Sequence, residues 1–194
     1  MLKAHSATAG RGSSMVEVLV TLVILAFGLL GVAGLQTKIG VAEMESYQRA
    51  QALVALTQMT ERLSANTAQA ANYASNVPVG TGDAQPADCS GIAPGANRDL
   101  CEWSNTLKGT TESSAAGTNT GGLSGGRGCV TQLQAPNPAL GVCSAGLYRV
   151  SVAWQGMAPT AAPLLACAAG LYGANDAYRR VIATTVSVPT TSCF

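Results

Sequence analysis

Hydrophobic positions are distributed very unevenly along this chain. From Val18 to Thr37 there is an unbroken uncharged run, VLVTLVILAFGLLGVAGLQT. Twenty residues at ~1.5 Å each give a helix of ~30 Å, the thickness of a bilayer's hydrocarbon core. From Lys38 to Asn66 the pattern becomes amphipathic, with Val41, Met44, Leu53, Leu56, Met59 and Leu63 recurring mostly at three- and four-residue steps. That spacing predicts a continued helix with one face packed on a globular part. Glu45 and Arg49 are expected to pair one turn apart on its outer side. A helix from Ser13 to about Thr67 would be ~80 Å long.

Beyond Thr67 the periodicity fades. Pro78, Gly80, Gly82, Pro86, Pro94 and Gly95 give residues 68–105 the character of loops. Gly109 to Gly128, GTTESSAAGTNTGGLSGGRG, is a low-complexity tract expected to form a mobile surface loop. Two β-branched runs follow, Leu147–Trp154 and Tyr178–Val188. Tyr148, Val150, Val152 and Trp154 share one face of the first. The segment between the runs contains Pro159, Pro163 and Cys167 and is too long for a tight hairpin. Antiparallel pairing through a cysteine-bearing excursion is expected, which makes the fold class α+β: a long N-terminal helix packed on a small antiparallel sheet.

Charge and cysteine content then narrow the class. With 11 basic and 10 acidic residues, the chain lacks the strongly basic balance of a dedicated nucleic-acid binder. Arg149, Arg179 and Arg180 lie on the expected strands, but neighbours on a strand face opposite ways, so only some of them can line one patch. Aromatic residues are only 5% of the chain, so the core is modest and benefits from covalent support. Cys89, Cys101, Cys129, Cys143, Cys167 and Cys193 all lie beyond the apolar run, without C-x-x-C spacing or a nearby histidine. They read as structural disulfides in an oxidising compartment rather than as metal ligands. Six cysteines allow 15 pairings. Sequential pairing, Cys89 with Cys101, Cys129 with Cys143 and Cys167 with Cys193, is the simplest.

Lys3, His5 and Arg11 precede the apolar run, which places the N-terminus on the cytoplasmic side and the cysteines outside the membrane. An ordinary secretory signal would have a shorter apolar core and a mature start near Gly34. It does not account for Glu17, a carboxylate at the entry to the run. Charged groups in such positions are costly and point to function when a partner can be named. A cut between Gly12 and Ser13 supplies one: the new amine of Ser13 stands four residues from Glu17 on the same helical face. The amine of one chain can also pair with the carboxylate of the next, which would set the axial register of stacked helices. Gly28, Gly31, Gly34 and Gly40 permit close helix approach or local melting, and the sequence does not choose between them.

Gly12-Ser13-Ser14-Met15-Val16-Glu17, with its basic leader and uncharged helix, resembles the class III signal of type IV prepilins. The stretches MVEVLVTLVILAFGLLGVAGLQT and MTERLSAN, within the first 66 residues, are similar to the PilV-like group of minor pilins. The resemblance implies cleavage after Gly12 by a prepilin peptidase, N-methylation of Ser13 and an assembly role for Glu17. Ser13 departs from the family's usual Phe, which bears on methylation more than on cleavage. The implied organisation is a leader at 1–12, a transmembrane assembly helix at 13–37, its amphipathic continuation at 38–67 and a periplasmic pilin domain at 68–194. The implied function is initiation of pilus assembly and formation of the tip complex. Partners would be other minor pilins, the major pilin and a tip adhesin, first in the bacterial inner membrane and then in a pilus at the cell surface. The related I-type minor pseudopilin of type II secretion shares the same helix signals and is the alternative.

Catalytic and cofactor chemistry finds little purchase. The one histidine, His5, lies in the leader, so the processed chain has no Ser-His or Cys-His pair. Asp83 with Asp88, and Asp99 with Glu102, lie among glycines and prolines and read as solvated loop charges. The glycine-rich tract lacks G-x-x-x-x-G-K-[ST] and no apolar strand leads into it. No enzyme activity, cofactor, metal or specific nucleic acid is expected.

Overall fold

The structure is a computed structural model describing residues 14–75, 77–110 and 121–190. The chain divides into two compact units, one ending at Glu43 and one beginning at Met44. Helix α1, Met15–Ala65, runs through that boundary. In the first unit its side chains are exposed on every side.

The second unit is α+β. After α1 come a short 3-10 turn (Thr67–Gln69), α2 (Ala70–Tyr73), β1 (Val79–Gly80), α3 (Ala96–Lys108), β2 (Arg127–Gln134), β3 (Gly146–Gln155) and β4 (Arg179–Val188). The four strands form one antiparallel sheet in the order β1-β2-β3-β4. The two β-branched runs are β3 and β4, paired from Gly146 with Val188 to Gln155 with Arg179.

Alanines decide which face of α1 is buried. Ala52, Ala55, Leu56, Met59 and Leu63 are buried, whereas Leu53, Val41 and Met44 of the expected stripe are roughly half exposed. The small residues admit Trp103 of α3, whose indole N–H donates to the carbonyl of Ala55 at 2.8 Å. Trp103 also lies against the backbone of β2, where a Cβ added at Gly128 would come within 2.2 Å of the ring. Tyr73, Val130, Tyr148, Val150 and Val152 complete this core.

Helix α3 corrects the expectation of loops through Asn105. Its Leu100, Trp103 and Leu107 form a buried stripe at helical spacing, Asp99 and Lys108 stand at the ends that suit the helix dipole, and Gly109 caps it with φ +70°. The prolines cluster before it, at 78–94. The low-complexity tract is corrected at its far end, because Arg127 and Gly128 open β2. Its centre, 111–120, lies outside the described residues.

Cys89 bonds Cys101 as expected, but Cys129 bonds Cys167 rather than Cys143. Cys129 is near the start of β2 and Cys143 lies beyond its far end, in the turn before β3. The five residue-to-residue steps of strand from Cys129 to Gln134 alone span ~17 Å, too far for a disulfide. Cys167 folds over the sheet beside Ser151, the cross-strand neighbour of Cys129. Cys143 is itself disulfide-bonded. Cys193 lies outside the described residues.

The excursion between β3 and β4 is built around Arg179, which is 3% exposed. Its guanidinium bonds the carbonyls of Pro163, Leu165 and Cys167 and pairs with Asp176. With Ala153, Ala168 and Tyr172, Cys167 makes a second small core on the sheet.

Candidate assembly site

The start of α1 is organised by Ser14. Its hydroxyl accepts from the amide of Val16 at 3.3 Å, and its carbonyl accepts from the amides of Glu17 and Val18. Ser14-Met15-Val16-Glu17 therefore has the S-x-x-E spacing of a capping box, a signal readable in the sequence that explains part of why a glutamate stands there. Glu17 lies in the helix's first turn, where the dipole favours negative charge, and its side chain is exposed. Gly12 and Ser13 lie outside the described residues.

Val18 to Leu35 present apolar side chains around the whole helix, long and apolar enough to cross a membrane. Its polar side chains do not conflict with lipid: Thr21 and Thr37 donate to the carbonyls of Val18 and Gly34 within the helix. Gly28, Gly31, Gly34 and Gly40 are all helical, and a methyl group at any of them would meet nothing within 4 Å.

In the second unit the charges tie elements together. Glu45 pairs with Arg180 at 3.0 Å instead of with Arg49, and the same oxygen accepts the amide of Met157 at 2.9 Å. Burial pushes its pKa upward, but the Met157 amide and the Arg180 charge outweigh burial, and the net shift is downward. Asp99 and Glu102 are on α3, not in loops, and both pair with Arg62 of α1. The hydroxyl of Tyr73 donates to Asp99, and burial followed by that bond pushes its pKa up to about 12. Asp88 is exposed and bonds the amide and hydroxyl of Ser90. Of the strand arginines, Arg179 is buried and Arg180 folds onto Glu45. Arg149 lies in the sheet between Thr131 and Thr185.

Asp83 is the most integrated carboxylate. It accepts from the amides of Gly80 and Gln85 and from the hydroxyl of Ser104, and pairs with Lys108, joining β1 to α3. Burial raises its pKa, but the Lys108, Gly80, Ser104 and Gln85 hydrogen bonds lower it more, so the net shift is downward from the ordinary carboxylate value. A carboxylate depressed in the folded state adds stability above its unfolded pKa and loses it as pH falls through the folded value. Asp83→Asn is therefore expected to lower stability at pH 7 and to flatten the loss of stability below about pH 4. Denaturant unfolding of both proteins from pH 2 to 7 checks this. Parallel curves would show that Asp83 carries no such linkage.

Among the described residues no group of three His, Cys, Asp or Glu is placed to hold a metal ion. What the arrangement offers to other molecules is an apolar helix with a carboxylate at its start. In the second unit the ion pairs of Arg62, Lys108, Arg179 and Arg180 hold its own elements together. No protein-family model, curated protein or solved structure matches this chain.

Proposed function

We propose that this chain is a minor pilin of a type IV pilus, made as a prepilin, cleaved between Gly12 and Ser13 and incorporated through α1. The observation that carries the reading is Glu17 at the capped first turn of a helix whose next eighteen residues are uncharged and exposed. Capping and the helix dipole account for part of that carboxylate in any helix; a stacked helix gives it a further use, in which Glu17 pairs with the Ser13 amine of a neighbouring chain and fixes axial register. Apolar side chains and the glycine positions supply the contact area between helices. The disulfide-linked α+β domain is the head, placed in the periplasm and then on the pilus surface. Its partners are other minor pilins, the major pilin and a tip adhesin, with a role in starting the filament.

The intact mass and N-terminal residue of the chain, taken from membranes and from sheared filaments, test this. The expected start is Ser13, with or without a methyl group, in both fractions. A start near Gly34 would mean an ordinary secreted protein and would end the proposal.

A further inference from the structure

The segment joining β3 to β4, residues 156–178, carries one charge, Asp176, and that charge is paired with Arg179. Loops are ordinarily polar, but this one exposes Met157, Pro159, Leu164 and Leu171. Leu164 is 104% exposed, so its side chain stands clear of the rest of the chain. The backbone beneath it is pinned. The carbonyls on either side, of Pro163 and Leu165, accept from the buried guanidinium of Arg179, as does that of Cys167. Nearer β3, the carbonyl of Ala158 and the hydroxyl of Thr160 accept from Arg180, and the amide of Thr160 donates to the carbonyl of Ala177. The Cys129–Cys167 disulfide ties the same segment to β2. Backbone acceptors are thus drawn inward onto two arginines while apolar side chains are left outside.

We propose that this segment, with Leu164 at its tip, rests in the surface of the membrane that α1 crosses. The inference rests on the membrane-anchored reading of α1. Two observations select lipid over a protein surface. Protein partners are recognised through hydrogen bonds as well as apolar contact, roughly one bond per 100–200 Å². Here the carbonyls of Ala158, Pro163, Leu165 and Cys167 already have partners within the chain, which suits a neighbour that offers none.

The second observation is the tether. The amide of Met157 donates to Glu45, and the same carboxylate holds Arg180. Glu45 stands seven residues beyond Lys38, the first charge after the uncharged run. Seven residues reach at most ~25 Å even when fully extended, so chain length alone keeps Met157 close to the bilayer however the head is set. The far end of the sheet supplies a contrast. β3 spans ~30 Å; its Gln155 end adjoins this segment, and its Gly146 end adjoins the turn that carries Leu140. Leu140 is also apolar and 85% exposed, but it lacks this tether.

The test uses the full chain reconstituted in nanodiscs of phosphatidylethanolamine and phosphatidylglycerol. A small fluorescent residue replaces Leu164, Leu140 or Leu25, and the lipids carry spin labels in their acyl chains. Quenching is expected in place of Leu164 and of Leu25, and none in place of Leu140. Equal quenching in place of Leu164 and Leu140 would overturn the proposal. So would quenching in place of Leu25 alone, the result expected if the segment docks on a protein instead. No quenching in place of Leu25 would overturn the anchored reading, and this proposal with it. A label in place of Met157, with Leu164 intact, then measures the tip. Leu164→Gln alters a side chain that supports nothing in the head, and is expected to lower the ratio of docked to free head about tenfold. An undiminished Met157 signal would overturn the role of the tip. An uncharged contact should also persist at high salt, and its loss there would assign the contact to charged residues and overturn the proposal.

Discussion

Glu17→Val is expected to yield a chain that is cleaved after Gly12 and inserted in the membrane normally, yet is depleted from filaments about a hundredfold or more. The substitution removes the charge at the head of an uncharged helix, so insertion becomes easier. In the proposed filament it would also leave the Ser13 amine of a neighbouring helix unpaired where water is scarce, and breaking one side of such a pair costs far more than the pair itself contributes. Loss of the favourable first-turn charge is a much smaller effect, worth about 0.3–1 kcal/mol in helices generally. The two roles of Glu17 therefore separate by size. Glu17→Gln keeps the capping-box spacing but not the charge, and should behave as the valine variant does in filaments. Quantifying the chain in membrane and sheared fractions decides it. Near-normal incorporation of Glu17→Gln would assign the residue to capping and remove it from assembly.

The sequence was most legible where a single period dominates. β3 and β4 were readable from their β-branched runs, and α1 from an uncharged run that no loop could carry. It was least legible where small residues do the packing. Ala52 and Ala55 do not register as a hydrophobic stripe, yet they are the seat for Trp103, so the pattern of large apolar residues points to Leu53 instead. Helix α3 was hidden by the prolines before it, although Leu100, Trp103 and Leu107 are spaced as any buried helix would have them. Pairings distant in sequence were not accessible at all. Glu45 has Arg49 one turn away, but its partner Arg180 is brought to it by the sheet. The Cys129–Cys167 bond depends in the same way on where the excursion folds. At the candidate site, the apolar helix and Glu17 in its first turn were readable, because each is a local pattern; residues 1–13 lie outside the described residues. The outward setting of Leu164 was not, since it depends on where Arg179 draws the carbonyls beside it.

The glycine-rich tract shows how composition misleads when packing is unknown. Deleting Gly109 to Gly128 would be a natural way to ask whether a surface loop mediates attachment. That deletion removes Gly109, the C-cap of α3, and Gly128, the strand residue against Trp103. Loss of attachment in such a variant would report damage to the core. Deleting only residues within 111–120 keeps both glycines and asks the intended question.

The largest loss of head stability is expected at the Trp103–Gly128 contact. Trp103→Ala removes the largest fully buried side chain and its bond to the Ala55 carbonyl, a truncation that typically costs about 3–5 kcal/mol. Against a total stability of about 5–15 kcal/mol for an ordinary domain, that is a third or more of the whole over most of the range. Gly128→Val should be comparably harmful for the opposite reason, since its Cβ would stand 2.2 Å from the indole ring. The two changes occupy the same space, so their effects are not additive. In the Trp103→Ala background the valine enters the vacated volume, and the double variant is expected to be more stable than the sum of the single losses by at least about 1 kcal/mol. Denaturant unfolding of the four full-length proteins in detergent, with disulfides intact, measures this coupling. Additive losses would mean that β2 does not rest on the Trp103 ring, and the path by which α3 holds the sheet against α1 would have to be redrawn.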